Sequence, residues 1–367
     1  MNRGRKQMIA RVNFTGFGIP VLALLAWLPC VARAQSGENF QLYVSNERSA
    51  DVSVIDASDL KSVDTIAVGK RPRGIHASPD GKLVYVALSG TPIAVPKIDP
   101  SGNPVFQRGK DDDDDEASHA DKSADGIGII DVAQRKLTGK LLVGSDPEEF
   151  SLSKSGAELY ISNEDVKTAS VVNVSNGKVE HIIPIAQEPE GVATSPDGKT
   201  FYVTCEAGGE VFVIDTSTYK TIGHFTVPPR PRSMAFMPGA AIGFIPSEST
   251  GQLNVIDTAN YKVIKTITLP QGSRPMSVKI SLDGKKIYVS NGRAATVSVL
   301  DSHSYELLNS IKVGTRPWGM VMSPDGKYLY TANGPSNDIS VVDLKSEKEI
   351  ERIKAGDSPW GIAIVPR

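Results

Sequence analysis

The stretch RPWGMVMSPDGKYLYTANGPSNDISVVD, residues 316–343, contains a proline, an SPDG turn and two short apolar runs in which polar residues alternate. Alternation with a period of two is typical of half-buried β-strands. The SPDG tetrapeptide places proline second and glycine fourth, which suits a tight hairpin turn. The stretch therefore predicts short strands joined by tight turns.

Three markers from this stretch recur along the chain in one register. An aromatic residue within an apolar run recurs at Tyr43, Tyr85, Tyr160, Tyr202, Phe244, Tyr288 and Tyr330. An acidic or amide residue closes the following run at Asp56, Asp131, Asn173, Asp215, Asp257, Asp301 and Asp343. A proline leads a further run at Pro72, Pro147, Pro189, Pro231, Pro275, Pro317 and Pro359. The shared register shows that the chain contains seven copies of one unit.

Each copy has room for four short strands and three turns, and units of about 40 residues with four strands are typical of β-propeller blades. The sequence therefore predicts an all-β fold, a seven-bladed β-propeller of four-stranded blades. The first copy begins in mid-blade at FQLYVSN, and the last proline-led run, SPWGIAIVPR, has no successor. We therefore expect the N- and C-terminal strands to pair and to close the ring.

The first 34 residues have the pattern of a secretory signal peptide. Basic residues at Arg3, Arg5, Lys6 and Arg11 precede an apolar run that ends in the small-residue site ARA. This pattern predicts a Sec-type signal cleaved after Ala34, a periplasmic location and no transmembrane anchor after processing. The predicted domains are thus a signal peptide at 1–34 and a single propeller at 35–367.

Charge and cysteine content exclude some classes of function. Removal of residues 1–34 changes the formal net charge from −2 to −7, because that segment contains five basic and no acidic residues. An acidic chain is a poor partner for nucleic acid. The mature chain keeps one cysteine, Cys205, and so cannot form an internal disulfide. No CxxCH, HExxH or GxSxG motif is present, which argues against covalent c-type haem and against two common hydrolase classes.

Several repeated segments resemble a known family. YVSN, YISN, YVTC, YTAN, SPDGK and VIDT are similar to the YVTN-type propeller repeats of exported bacterial proteins. ADGIGIIDVAQRKL and the 316–343 stretch resemble propellers associated with alcohol catabolism that depends on pyrroloquinoline quinone (PQQ). The resemblance implies a non-enzymatic accessory factor of a periplasmic PQQ-dependent alcohol oxidation system. Its implied partner is a quinoprotein dehydrogenase or a cytochrome.

Residues beside the repeated prolines should lie at one mouth of the central channel. The candidate ligand-binding residues there are Arg71, Arg73, Glu148, Glu190, Arg230, Arg232, Arg274, Arg316, Trp318 and Trp360. Arginine beside tryptophan can hold a flat polyanion such as PQQ by paired hydrogen bonds and stacking. The alternative is that opposite charges pair with each other and that the tryptophans plug the channel.

Two other functions remain open from the sequence. His76 and Lys279 lie four residues after a repeated proline, where other blades have serine, alanine or valine. With Glu148 and Glu190 they could form the hydrolytic site of a lactonase-type enzyme that uses the channel mouth. A scaffold or surface-adhesion propeller is the third alternative.

An insertion at about 91–124 interrupts the second copy. It carries six consecutive acidic residues, Asp111, Asp112, Asp113, Asp114, Asp115 and Glu116. Mutual repulsion favours a solvated loop. Weak binding of a hard cation such as Ca²⁺ and docking of a basic partner are the alternatives.

Overall fold

The computed structural model describes residues 39–93, 97–98, 104–105 and 120–367. The predicted signal peptide and the acidic run from Asp111 to Glu116 lie outside these residues. The described chain consists of strands, turns and one short 3-10 helix, Glu164–Val166. Within the described ranges, no helix is long and apolar enough to cross a membrane.

Seven four-stranded antiparallel sheets surround a central channel, as predicted. The inner strands are β4 (Pro72–Ala77), β10 (Pro147–Leu152), β14 (Pro189–Thr194), β18 (Ala235–Phe236), β22 (Pro275–Ile280), β26 (Pro317–Met322) and β30 (Pro359–Pro366). The second strands are β1 (Phe40–Asn46), β5 (Leu83–Leu88), β11 (Glu158–Asn163), β15 (Thr200–Cys205), β19 (Ile242–Ser247), β23 (Lys286–Asn291) and β27 (Tyr328–Asn333). The third strands are β2 (Asp51–Asp56), β8 (Gly126–Asp131), β12 (Thr168–Asn173), β16 (Glu210–Asp215), β20 (Gln252–Asp257), β24 (Thr296–Asp301) and β28 (Asp338–Asp343). The outer strands are β3 (Lys61–Ala67), β9 (Lys136–Leu141), β13 (Lys178–Pro184), β17 (Thr221–Thr226), β21 (Lys262–Thr268), β25 (Leu307–Lys312) and β29 (Lys348–Lys354).

The ring closes through one blade shared by the two ends of the propeller. Its strand order is β3-β2-β1-β30, and Tyr43 of β1 pairs with Ala363 of β30. The predicted closure is therefore confirmed. We number this sheet blade 1 and the others blades 2 to 7 in chain order. A two-stranded sheet of β6 (Lys97–Ile98) and β7 (Pro104–Val105) lies in the insertion of blade 2.

The hydrophobic core lies between blades rather than within them. Each of seven buried clusters joins one blade to the next, including the pair formed by blades 7 and 1. The repeated tyrosines and Phe244 supply the largest of these side chains, and each is at most 2% exposed. Because every sheet needs both neighbours to cover its faces, the ring is stabilised as a whole.

Inner strands approach one another so closely that several positions require glycine. A β-carbon on Gly191 would lie 2.5 Å from the carbonyl oxygen of Arg232 in the next blade. We expect Gly191→Ala to lower the free energy of unfolding by about 1–3 kcal/mol, because the backbone must shift to admit the methyl group. The control is Gly139→Ala, where the new methyl group would lie 3.9 Å from Ile129 Cδ1. Urea unfolding of both variants tests this, and equal stability would contradict it.

The backbone at the start of each inner strand directs side chains toward the mouth. The residue before each repeated proline has a positive φ, from 48° at Arg71 to 60° at Ser358, and none is glycine. The inner strand also carries one extra residue after the proline, since Pro72 pairs with Leu88 but Ile75 with Val86. Such bulges re-aim side chains near functional sites. Both irregularities fall on the residues predicted to line the mouth.

Candidate functional site at the channel mouth

The mouth is formed by three positions of the repeat, and the sequence predicted only two of them. Residues before and after each proline were predicted. The third position follows the second strand and is occupied by Glu47, Glu164, Glu206 and Glu248. Each glutamate lies four residues after a repeated aromatic residue, so the register itself was a signal that could have revealed them. These glutamates contribute several of the carboxylates that surround the arginines.

Arg73 lies in a buried acidic pocket formed by the next blade. Its guanidinium pairs with the carboxylates of Asp146 and Glu148, and it donates to the carbonyl of Pro147 at 3.3 Å. Arg73 is only 2% exposed. Arg71 is paired in the same manner, with its Nε 2.8 Å from Glu47 Oε1. The predicted binding residues Arg71, Arg73 and Glu148 are therefore engaged with protein partners.

Arg232 is the centre of a second buried network. Its Nη1 lies 2.8 Å from Glu190 Oε2, its Nε lies 2.7 Å from Glu248 Oε2, and it also pairs with Glu206. Burial raises the pKa of Glu206 well above its usual range. Burial also tends to raise the pKa of Glu190, but the charge of Arg232 and a hydrogen bond from Glu206 outweigh it and leave that pKa lowered. The pKa values of these two neighbouring carboxyl groups are therefore shifted in opposite directions.

Two further arginines of the mouth join this network at its rim. Arg230 Nε lies 2.9 Å from Glu206 Oε2, and Arg274 Nη2 lies 2.9 Å from Glu248 Oε1. Burial and the charge of Arg293 lower the pKa of Arg274. The charged residues of the mouth thus pair extensively with one another. This agrees with the alternative, stated from the sequence, that opposite charges at the mouth pair with each other.

Glu164 differs from the other glutamates of the mouth. It is partly exposed, and burial followed by the charge of Asp146 raises its pKa to about 7. The charges of Arg73 and Arg71 oppose this shift. A carboxyl group with a pKa near 7 is well suited to proton transfer at neutral pH. Glu164 is therefore the strongest acid–base candidate in the mouth.

Trp318 and Trp360 form an aromatic pair on the opposite arc of the mouth. Their ring centroids are 5.8 Å apart, and the planes are inclined by 24°. The guanidinium carbons of Arg316 and Arg232 lie 4.8 Å and 5.5 Å from the Trp318 ring centroid. Burial lowers the pKa of Arg316 to about 10. Trp318 is largely covered by these neighbours, whereas Trp360 remains partly exposed.

The structure places the four residues predicted as a hydrolytic site at two different levels of the inner strands. Glu148 and Glu190 are engaged by Arg73 and Arg232 at the mouth. His76 lies farther along β4, and its Nε2 contacts Glu149 Oε1 at 2.8 Å rather than Glu148. Lys279 occupies the equivalent level of β22. Glu148 and Glu149 are successive residues of the bulge after Pro147, and Glu149 is the one that contacts His76.

One cluster has the composition of a cation site, but an arginine already neutralises it. Carboxylate oxygens of Asp146, Glu148 and Glu164 lie within 4.8 Å of one another. Arg73 pairs with two of these three residues. The positive charge that a metal would supply is therefore already present. Binding of PQQ and binding of Ca²⁺ at Asp111–Glu116 stay predictions.

The family comparison points to lactonase-type propellers. A family model described as "Lactonase, 7-bladed beta-propeller" matches residues 188–356. No curated protein shows a significant match to the chain.

Solved structures match the fold over most of the chain. A putative 6-phosphogluconolactonase from Bacteroides fragilis has a TM-score of 0.68 at 16% identity, and the match covers 90% of this chain and 99% of that one. The periplasmic gluconolactonase PpgL of Pseudomonas aeruginosa has a TM-score of 0.65 at 18% identity, with coverage of 89% and 99%. Hydrazine synthase of Kuenenia stuttgartiensis has a TM-score of 0.65 at 20% identity, with coverage of 84% and 92%. At these identities the likeness shows a shared fold.

The family match corrects the main functional prediction. A non-enzymatic accessory role in PQQ-dependent alcohol oxidation is wrong, because the matching family model is that of lactonases. The YVTN repeat pattern still predicted the fold correctly, since repeats of this kind specify blades and not a reaction. The lactonase alternative is the one that the comparison favours.

Proposed function

We propose that this protein is a lactonase-type hydrolase that opens a small sugar lactone at the channel mouth. The observation that carries the proposal is the match of residues 188–356 to the lactonase family model. The putative 6-phosphogluconolactonase and the gluconolactonase among the structural neighbours suggest the substrate class.

The mouth offers groups for each step of ester hydrolysis. In its ionised form, the Glu164 carboxylate accepts a proton from water as that water attacks the lactone carbonyl carbon. Guanidinium N–H groups at the mouth stabilise the oxyanion that develops. The C–O bond to the ring oxygen then breaks, and the leaving alkoxide takes the proton back from Glu164. One lactone and one water thus give one hydroxy acid.

We assign recognition of the sugar ring to the aromatic pair of Trp318 and Trp360. Trp360 is partly exposed beside Trp318 and presents an apolar surface at the mouth. Arg316, stacked on Trp318, places a guanidinium next to this surface. A ring with polar substituents would therefore contact an apolar face and hydrogen-bond donors together.

The test is a pH-indicator assay of acid release from glucono-1,5-lactone and from its 6-phosphate, with the spontaneous rate subtracted. We expect kcat/KM to rise with pH through an apparent pKa of about 7, because Glu164 must lose its proton to act as a base. A kcat/KM that does not change between pH 5.5 and 8.5 would show that Glu164 is not the general base. Absence of turnover with either lactone would contradict the proposed function and favour the scaffold alternative.

A further inference from the structure

Neighbouring blades meet at the outer perimeter of the propeller through one pair of residues at each interface. The first member lies on an outer strand, directly opposite the third strand of its blade. The second lies in the connection that leads to the outer strand of the next blade, and it has a positive φ in every blade. His181 of blade 3 thus stacks on Tyr219 of blade 4, with ring centroids 4.0 Å apart. We call these contacts the perimeter pairs.

Side chains fill the perimeter pair at six of the seven interfaces. An ion pair, a hydrogen bond and a cation–ring contact join three of them, in the order Asp64–Arg135, Asn309–Glu347 and Lys265–Tyr305. Tyr261 lies against Gly223, since a β-carbon on that glycine would be 2.4 Å from the tyrosine ring. In the pair of Glu351 and Leu60, the leucine packs against the buried cluster between blades 7 and 1.

The seventh pair, between blades 2 and 3, consists of Gly139 and Gly177 and so lacks side chains. Among the described residues, a β-carbon on Gly139 would have only Ile129 Cδ1 within 4 Å, at 3.9 Å. One on Gly177 would likewise have only Leu141 Cδ2, at 3.3 Å. Ile129 is partly exposed, whereas the residues at its position in the other blades are at most 1% exposed, namely Val54, Val171, Val213, Val255, Val299 and Val341. We call this gap the perimeter notch, with Ile129 and Leu141 as its floor.

Tyrosine rings show what fits between an outer strand and the next blade. Blades 4, 5 and 6 have tyrosine at the second position of the pair, namely Tyr219, Tyr261 and Tyr305. Each ring packs against the buried cluster that contains the valine equivalent to Ile129. The hydroxyl of Tyr219 donates to Glu158 Oε1 at 2.6 Å, but the residue equivalent to Glu158 in blade 2 is Leu83. The notch therefore suits an aromatic ring without a hydroxyl, as in phenylalanine.

Two exposed lysines border the perimeter notch. Lys178 directly follows Gly177, and Lys136 begins β9. In the part of the chain that the structure describes, no carboxylate oxygen lies within 4.0 Å of either Nζ atom. Asp131 and Glu180, the acidic residues nearest to them in sequence, accept hydrogen bonds from neutral amide side chains instead. Acidic groups on a partner would therefore complement the charge beside the notch.

We propose that the perimeter notch is an interaction surface for a partner protein that inserts a phenylalanine side chain flanked by acidic residues. The phenyl ring would cover Ile129, and a carboxylate would pair with Lys178. A buried aromatic anchor within a more polar surround is typical of the energetic centre of a protein interface. The notch belongs to the outer strands, whereas the mouth lies beside the inner strands, so this inference does not depend on the proposed function.

The probe is the peptide acetyl-Glu-Phe-Glu-amide, titrated into the purified protein with ¹³C-labelled isoleucine methyl groups. We expect a saturable NMR shift of the Ile129 methyl group and none for Ile264, an exposed isoleucine of blade 5. Replacement of phenylalanine by alanine in the peptide should weaken binding about tenfold or more, because the ring supplies most of the buried apolar surface. Replacement of both glutamates by lysine should also weaken it, and equal binding of the acidic and basic peptides would contradict the proposal.

Gly177→Tyr tests the notch from the side of the protein. The tyrosines at this position in blades 4 to 6 have φ from 53° to 65°, close to the 69° of Gly177, so the backbone should accept the change. We expect the new ring to fill the notch and to weaken peptide binding about tenfold or more. Gly239→Tyr is the matched control, because it lies in a turn of blade 5 with φ 71° and no atom within 4 Å of its β-carbon position.

Urea unfolding of both variants establishes that they are folded, and the Gly239→Tyr variant should bind the peptide as wild type does. No shift of the Ile129 methyl group with the acidic peptide, or equal binding by wild type and Gly177→Tyr, would overturn the inference. A shift of this methyl group that grows with protein concentration in the absence of peptide would assign the notch to a second copy of this chain and would also overturn it.

Discussion

Glu164→Gln should abolish most lactone hydrolysis and at the same time stabilise the protein at pH 8. Removal of a general base lowers rates by about 10²–10⁴-fold. Glutamine is neutral and similar in shape, so the mouth should keep its structure. We expect kcat/KM for glucono-1,5-lactone to fall by at least 100-fold, which is about 2.7 kcal/mol of transition-state stabilisation.

The gain in stability follows from the direction of the pKa shift. The folded-state pKa of Glu164 is raised from 4.5 to about 7, so the folded protein holds this proton more tightly than the unfolded chain. That stabilising effect is complete below the unfolded pKa and is lost as pH rises through about 7. Wild type therefore carries an unfavourable carboxylate charge at pH 8 that the glutamine variant lacks. We expect a gain of about 1–2 kcal/mol at pH 8 and almost none at pH 4.5.

The measurements are steady-state kinetics together with urea unfolding at the two pH values. Glu306→Gln, an exposed glutamate beside an outer strand, should change neither quantity. Loss of activity accompanied by loss of stability would indicate that Glu164 supports the structure. Retention of activity would show that another group activates the water.

The largest loss of stability is expected from Arg232→Met. This change leaves Glu190, Glu206 and Glu248 together in a buried site without the guanidinium that they share. Removal of one partner from a buried ion-pair network costs about 3–5 kcal/mol, because the remaining charges stay desolvated. Protonation relieves uncompensated carboxylates, so the defect should become smaller as the pH falls from 8 toward 5.

Urea unfolding of two arginine variants tests this prediction. Arg352→Met removes an exposed arginine whose Nε lies 2.8 Å from Glu349 Oε1. Exposed pairs contribute about 0.2–1 kcal/mol, so this control should remain close to wild type. A similar small effect for both variants would show that the network at the mouth does not stabilise the ring.

The fold could be predicted from the sequence because it depends on local, repeated signals. Alternation specifies strands, SPDG specifies turns, and the shared register specifies how many blades must close the ring. Each of these signals lies within one copy. Blade 5 is a partial exception, since its inner strand is only Ala235–Phe236 although Pro231 still bridges to Ser247. The repeat therefore predicts the position of this strand better than its length.

The chemistry of the site was less predictable because it depends on contacts between copies. The sequence placed Arg73 at the mouth, but its partners come from the next blade. It grouped Glu148 with His76, whereas His76 contacts Glu149. Glu164 was not predicted, although Glu47, Glu206 and Glu248 share its register, because a position one residue beyond a strand does not by itself indicate that its side chain lies at the mouth. The raised pKa of Glu164 reflects burial and the charge of Asp146, opposed by the charges of Arg73 and Arg71 from the preceding blade.

Ring closure by β30 also determines when the first blade can be completed during synthesis of the chain. The strands β1, β2 and β3 are synthesised first, but the inner edge of their sheet is covered by the strand that is synthesised last. Until β30 arrives, that edge exposes unpaired backbone groups, and open edges recruit foreign strands. The growing chain must therefore complete six other blades while its first blade is unfinished. The inner edge of β1 is therefore the strand edge that stays unpaired longest during synthesis.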